Sequence, residues 1–509
     1  MKKKQLLATA LSGTLLIGTA FTGCAKERVN SEAANGSSTS SSASSPSTER
    51  AHIAWVIYGD KNDRMSTYAE KVQQYVDDSG LNMDVELQVL PWTDYAGGQT
   101  SLKLASGEDF ACFTDTAYLA TCISKGYIQD ITDAVAIHGK TLTEKIDTVS
   151  FDAFSKDGKL FAVPIGNKMN ASEYYSNFEV RQDLLEETGM TEIKTLADLE
   201  AFYDACIKRH PDYIGFCDSD NTAKEFASTV SDQNMLFLDQ FLLTFVDAST
   251  DDDAIYSYYE SEEFKKTAEI ARRWYEKGII SKNTLSDPNS LGSQFMSGKG
   301  MFRNGNAGRI WEDIEVLTSN APGAELKVYN LVSDNPKVTR GNYSTAFQIS
   351  ANAASPEAYV QFLDLIYQNQ ESYDFFTYGE EGVDYQLDEN GRITGKSNDG
   401  VFFPEWATTH TDYMRFSPKI TDEMIQEYKS WNDDAIPQKS IGFVFNNDSV
   451  KDSVAQLSSV YTEYCKPILL GFSDYDSNYD EMLKRLKGAG LDQYLEEYRK
   501  QFTEFYKNK

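Results

Sequence analysis

From His52 onward the apolar positions switch repeatedly between a period near two and a period near 3.6. "HIAWVIY" is a β-branched and aromatic run that stops at Gly59 and Asp60, the pattern of a buried strand. Met65, Tyr68, Val72, Tyr75 and Val76 then recur at helical spacing up to Gly80. In "MDVELQVLP" Val85, Leu87 and Val89 alternate before Pro91, a second helix is expected through "GGQTSLKLASGED", and "FACFT" reads as a third strand. This order is a βαβαβ unit with a mostly parallel sheet and right-handed crossovers. Ligands of such open sheets bind beyond the carboxyl ends of the strands, so the residues just after each strand carry the functional interest.

Around "GKLFAVPIGNK" a short apolar strand with Pro164 leads into "ASEYYSNFEVRQDLLEETG", read as a crossover into a second lobe. Thr195 and Asp198 predict a capping box before a helix with Leu196, Leu199, Phe202, Tyr203 and Cys206 on its apolar stripe. "SEEFKKTAEIARRWYEKG" places Phe264, Ala268, Ala271, Trp274 and Tyr275 on one face and ends at Gly278, which assigns Trp274 to a core. "KGMFRNGNAGRIWEDI" reads as strand, glycine-rich turn and helix. "STAFQISANAASPEAYVQFLDLIYQ" reads as a strand and then a helix with Ser355 as N-cap and Pro356 in its first turn. Asn390-Gly391 signals a hairpin, the last hundred residues are helical in pattern, and no internal repeat is present. The fold class expected is therefore α/β with a helical C-terminal region.

The first residues follow a different logic. Lys2, Lys3 and Lys4 precede an apolar stretch from Leu6 to Ala20, which reads as an export signal over residues 1–23. Phe21, Thr22 and Gly23 before Cys24 resemble the lipobox of bacterial lipoproteins. That resemblance implies a lipidated Cys24, with two acyl chains for stable anchoring on the extracellular face of a cell membrane, in a Gram-positive bacterium. An ordinary secreted protein is the alternative. Residues 24–50 are then the lipidated cysteine and a Ser-rich disordered tether, reaching roughly 25 to 30 Å as a flexible coil.

About 460 residues remain, more than one hydrophobic core usually organises, so two lobes are expected: 51–165 as the first segment of lobe 1, and 166–509 as lobe 2 with returning segments of lobe 1. The formal net charge of −30 argues against nucleic acid and anionic lipid surfaces as partners. Cys112, Cys122, Cys206, Cys217 and Cys465 form no CxxC. The close pairs 112/122 and 206/217 are open to disulfide formation, and buried thiols are the simpler account.

Chemistry for turnover is scarce in the sequence. It holds four histidines and no GxSxG, HExxH or GxxxxGK[ST] motif, so serine-hydrolase, zinc-protease and P-loop readings lack support. "DYDSNYDE" begins like a calcium loop, but Tyr479 stands where Gly is needed and Arg485 where Glu is needed. No cofactor or metal is expected. Adjacent acids in "STDDDA", "YGEEG" and "YLEEY" leave a glycosidase as a weaker alternative. Tyr, Phe and Trp make up 13% of the chain, and rings beside Asp, Asn and Arg suit sugars, which offer a C–H face and hydroxyls. By position the candidates are Tyr58 and Asp60 after the first strand, Trp92 after the second, and Thr114 and Asp115 after the third.

The segments "LPWTDYAGGQTSLKLASGED", "GYIQDITDAV", "GKLFAVPIGNK", "YGEEGVDYQLDENG" and "GFVFNNDSVKDSVAQLSSVYTEYCKPILLGF" resemble, in this order, extracellular solute-binding proteins of family 1, the LplA-like lipoprotein receptors of carbohydrate ABC importers. The resemblance spans nearly the whole chain from Ile53. It implies a two-lobed periplasmic-binding-protein-like fold whose lobes, joined by a hinge, close a cleft on an oligosaccharide, and a monomeric receptor, not an enzyme, that docks on permease subunits. It also implies Trp406 as a ligand contact, with Thr409 and His410 where the family has a small pair, and it points to Thr114-Asp115, where Asp115 either accepts from a hydroxyl or caps a helix. Asn167, Asn304, Arg309, Trp311 and Tyr343 complete the candidate ligand-binding set. A peptide or another solute remains the alternative ligand.

Overall fold

The computed structural model describes residues 49–508 apart from 60–62, 92–93, 165–176, 219–222, 224–225, 228–229, 232–234, 288, 306, 332–337, 340–344, 396–402, 404, 431–432 and 434–435. The expected signal and lipobox and the tether up to residue 48, including Cys24, lie outside the described residues; Arg50, counted in the disordered tether, is instead held by Asp77 and Asp84. Residues 49–509 form one compact unit.

In chain order the strands of the two main sheets are β1 (Ala51–Tyr58), β2 (Met83–Leu90), β3 (Ala111–Asp115), β4 (Ala162–Pro164), β5 (Asn177–Arg181), β6 (Ile214–Phe216), β7 (Gly300–Asn304), β8 (Leu326–Asn330) and β9 (Thr345–Ile349). The helices that matter for the site are α1 (Asp63–Asp78), α2 (Thr148–Ala153), α3 (Glu262–Lys277), α4 (Ala307–Asn320), α5 (Pro356–Ile366), α6 (Gln370–Tyr378), α7 (Glu405–Thr408), α8 (Tyr475–Gly488) and α9 (Leu491–Lys507).

The first sheet runs β2-β1-β3-β9-β4. β1 is parallel to β2 and β3, while β9 is antiparallel to both β3 and β4. Four strands therefore share one direction, and the expected βαβαβ unit is present with one late strand inserted against the grain. Trp55 is fully buried at its centre, with ring contacts of 5.4 Å to Phe347, 5.8 Å to Tyr359, 5.7 Å to Phe362 and 5.6 Å to Phe403. Those partners come from β9, from α5 and from the residues before α7, so this core is closed only by chain that returns after residue 344. α1 buries Met65, Tyr68, Val72 and Val76, and Tyr75 stacks on Phe375 at 4.7 Å.

The second sheet runs β8-β5-β7-β6. Its core gathers Phe178, Phe216 and Phe302 around Trp274, which is 0% exposed and donates its indole N–H to Glu200 Oε1 at 2.9 Å. α3 starts where the Ser261 hydroxyl accepts the Phe264 N–H and stops at Gly278 in the left-handed region. The C-terminal helices α8 and α9 press Met482, Leu486, Leu495, Tyr498 and Phe502 into this same core. Each large apolar side chain so buried contributes about 1.5–3 kcal/mol.

Other expectations meet the structure one by one. Thr195 and Asp198 form the capping box, and Asp388 Oδ1 accepts from Asn390 and Arg392 N–H in a five-residue loop between strands Gln386–Leu387 and Ile393–Thr394. Ser355 precedes α5 with Pro356 in the first turn, but its backbone (φ −137°, ψ 70°) leaves the hydroxyl without a capping bond. Cys112, Cys122, Cys206, Cys217 and Cys465 are buried free thiols, so neither close pair is bridged. Asp474, the first residue of the apparent calcium loop, instead caps α8 by accepting from Ser477 N–H and Oγ–H.

Candidate functional site

Register decides which strand ends meet. Tyr58 is paired with Leu90, Asp115 with Thr345 and Pro164 with Ala346, and β1 runs beside β3 with Val56 against Cys112. The carboxyl ends of β1, β2, β3 and β4 and the start of β9 thus form one edge. Tyr58, Thr114 and Asp115 sit on it, described in their backbones. Asp60, Trp92, Asn167 and Tyr343 lie outside the described residues, but each is two or three positions in sequence from a strand end on this same edge. Tyr95 braces the edge from behind: its hydroxyl accepts the Phe113 N–H at 2.9 Å and donates to Phe113 O at 3.2 Å.

The second sheet has a corresponding edge. Asn304 ends β7, Asn177 begins β5, Asn330 ends β8 opposite Asn177, and Asp218 lies just beyond β6, after Cys217, whose N–H donates to Phe302 O at 2.9 Å. Asn177, Asp218 and Asn304 are 0%, 2% and 0% exposed. Three buried polar side chains at one strand-end edge are costly unless hydrogen-bonded, so each requires a hydrogen-bonding partner there. Asn177 O accepts the N–H of Gly305 at 3.3 Å, at the start of the turn into α4. Asn304 is a candidate named from the sequence; Asn177 and Asp218, which share its edge, were not named, although each is a polar residue flanking an apolar strand, the signal used for the first lobe.

Arg309 and Trp311 lie in the first turns of α4, described in their backbones. Behind the edge, Arg303 of β7 donates Nε–H to Glu179 Oε2 of β5 at 2.5 Å and pairs with Asp313 of α4, with its guanidinium 4.4 Å from the Phe295 ring centre. Arg303 and Glu179 are cross-strand neighbours, and the two carboxylates hold the Arg303 pKa above its already high ordinary value, against a desolvation penalty. This buried ion pair ties α4 to the sheet and so sets where its N-terminus stands.

Trp406 is the second residue of α7, described in its backbone. α7 belongs to the first core. Phe403 inserts between Phe113 at 5.5 Å and Phe347 at 5.3 Å, and its N–H donates to Phe376 O at 3.2 Å. Hydroxyls of two helices then hold α7: Tyr378 to Glu405 Oε1 at 3.0 Å, Thr377 with Thr408 Oγ1 at 2.9 Å, and Tyr367 to Thr408 O at 3.4 Å. His410, also buried, has Nε2 3.2 Å from Lys145 O and accepts the Asp412 N–H on Nδ1.

In each acidic group weighed as a catalytic candidate, at least one carboxylate has a structural partner. Asp251 accepts from Tyr506, Asp252 pairs with Lys439 at 3.0 Å and Asp253 accepts from Thr503 at 2.6 Å. Glu380 pairs with Arg64 at 3.0 Å, and Arg64 also clamps Asp384. Glu497 accepts from Gln501 and Lys500. Among the described residues no group of three or more His, Cys, Asp or Glu could hold a metal ion, and no helix is long and apolar enough to cross a membrane.

A family profile described as bacterial extracellular solute-binding protein matches residues 68–381, and one described as a domain of unknown function (DUF3502) matches 439–507. A relative named carbohydrate ABC transporter substrate-binding protein, from Streptococcus pneumoniae serotype 4, is 25% identical over 472 residues, 89% of this chain and 90% of the relative. The N-glycan transport solute binding protein NgtS of Streptococcus pneumoniae superposes with a TM-score of 0.74 at 22% identity, covering 90% of this chain and 100% of that one. Its complex with Man5GlcNAc gives 0.69. A solute-binding protein from Bifidobacterium longum infantis that binds HMO superposes at 0.60 with 14% identity, covering 89% and 98%. These superpositions place the chain in the two-lobed periplasmic-binding fold.

Proposed function

The chain belongs to the bacterial extracellular solute-binding proteins, and on that premise we propose that it captures an oligosaccharide outside the cell and delivers it to an ABC importer. The observation that carries this reading is the relation between the two sheets: each gathers polar residues at one strand-end edge, in a fold shared with a receptor solved with Man5GlcNAc. The first lobe comprises residues 51–165 with returning segments, and the second the remainder. Tyr58, Asp60, Trp92, Thr114, Asp115, Asn167, Tyr343 and Trp406 would supply contacts from the first lobe, and Asn304, Arg309 and Trp311 from the second, with Asn177 and Asp218 supporting them. Rings would stack on sugar C–H faces, and amides and carboxylates would take hydroxyls.

A ligand touching both lobes stabilises the closed arrangement by its differential affinity for it. Closed receptor would then meet two permease subunits as a monomer, held near them by the lipid on Cys24 and the Ser-rich tether. The protein itself would catalyse nothing, a reading supported by its membership among the solute-binding proteins.

The test is thermal shift and calorimetry on residues 49–509 with Man5GlcNAc, other oligosaccharides and peptides. A ligand at about 100 times its Kd adds about 2.7 kcal/mol of stability, a clear shift in melting. Stabilisation by peptides alone overturns the sugar assignment. Product formation from an oligosaccharide overturns the receptor.

A further inference from the structure

The region matching a domain of unknown function opens with "KSIGFVF", residues 439–445. Its side chains are divided between the two cores. Ile441 is buried in the first core and Phe443 in the second, and Val444 and Phe445 repeat the division as partly buried neighbours. Phe443 meets the rings of Tyr498, Phe502 and Phe505 at 5.4, 5.0 and 5.4 Å, and Phe445 stacks on Tyr498 at 4.4 Å.

Between Ile441 and Phe443 the chain has no side chain at all. Gly442 adopts φ +81°, and a Cβ there would stand 3.2 Å from Asp152 O of α2, on the first core, and 3.7 Å from the Phe505 ring of α9, on the second. Just upstream, Ile436–Pro437 pairs in parallel with Val338–Thr339. That partner lies in the link between β8 of the second sheet and β9 of the first. Lys439, 9% exposed, fixes the start of the segment to the second lobe through Asp252 at 3.0 Å and Thr250 Oγ1 at 3.2 Å.

We infer that residues 439–445 are the bearing on which the two lobes turn, and that the region of unknown function sets the balance between open and closed receptor. The inference rests on the closing-receptor reading above. Cores are close-packed and do not deform continuously, so a segment anchored in both confines relative motion to rotation about itself. A glycine in the left-handed region with backbone on one side and a ring on the other is the point with least resistance to that rotation.

The test places spin or fluorescent labels on Ile137→Cys in the first lobe and Val316→Cys in the second, both exposed, in residues 49–509, with and without Man5GlcNAc. The native thiols are buried. In the parent the label separation shortens on adding sugar. Gly442→Ala, strained by its φ and its 3.2 Å approach to Asp152 O, is expected to change the separation before any sugar is added and the affinity by at least about fivefold. Lys439→Met, which keeps the fold's apolar stem, is expected to broaden the separation in the free protein, and stands in if the glycine variant does not fold. Parent-like distances and affinity in the variants that fold overturn the bearing while leaving the receptor intact. A parent whose separation does not respond to any sugar it binds overturns lobe closure, and the bearing with it.

Discussion

Tyr378 donates its hydroxyl to Glu405 Oε1 at 3.0 Å and with the same oxygen accepts the Arg415 N–H at 2.9 Å. One phenol thereby joins α6, the helix bearing Trp406 and the strand of chain that follows it. Both neighbouring carboxylate charge and burial hold the phenol neutral, its pKa well above the ordinary value, with burial the larger cause.

Replacing Tyr378 by Phe keeps the ring and removes both bonds, leaving a part-buried N–H without this acceptor and a carboxylate without this donor. The expected cost is about 1–3 kcal/mol in urea unfolding. Calorimetry with a bound oligosaccharide should also show weaker binding, since α7 loses one of its three hydroxyl anchors. A variant that matches the parent in both measurements would show that Thr377 and Tyr367 suffice.

Glu179 is fully buried beneath the second edge, and Arg303 is its partner. Glu179→Ala leaves a buried guanidinium with Asp313 as its remaining carboxylate, and an expected loss of about 3–5 kcal/mol. The exposed pair Arg50–Asp84 at 2.6 Å is the control: Asp84→Ala should cost less than about 1 kcal/mol. Equal losses in the two variants would contradict the assignment of Arg303–Glu179 as a buried tie between β7 and β5.

His410 titrates below its ordinary value of 6.5, chiefly because burial penalises the charged ring; its hydrogen bond to the Lys145 backbone and the charge of Asp412 oppose the shift, while the Lys145 ammonium adds to it. A folded-state pKa below the unfolded one means that the unfolded chain binds the extra proton first. Stability from this residue is therefore full above 6.5 and is lost as pH falls from there toward the folded value. Comparing urea midpoints of the parent and His410→Gln at about pH 7.5 and about pH 5, the gap between them should narrow at the lower pH. A gap that widens would mean that the ring is charged in the folded protein.

Burial pushes the thiols of Cys112, Cys206 and Cys217 up to about 12 and that of Cys122 to about 11, and raises Cys465 as well. Thiolate is the reactive form. Native residues 49–509 should therefore resist a thiol reagent at about pH 8, and all five should react once the chain is unfolded. Fast modification of any one in the native protein would contradict its burial.

Local patterns carried a good share of the architecture. The continuous apolar run at "HIAWVIY" became β1, the stripe ending at Gly278 became α3, and Trp274 took its place in the core because a helical face repeats every 3.6 residues whatever it packs against. The register places Tyr58, Thr114 and Asp115, all named by the strand-end rule, along one sheet edge. The triplet Asp251–Asp253 was different. In sequence it is only a run of adjacent acids, yet its partners Lys439, Thr503 and Tyr506 arrive from 187, 250 and 255 residues away.

The sequence by itself determined which stretches are strands and helices, where they stop, and that polar and aromatic residues leave the strand ends, because periodicity, caps and turn chemistry act over a few residues. Tertiary structure alone decided that β9 enters between β3 and β4 against their direction, that Asn177 and Asp218 join Asn304 at one edge, and that Ile441 and Phe443 part into two cores. Those choices depend on which distant surfaces exclude water together. An apolar side chain carries the demand to be buried, but not the address of its partner.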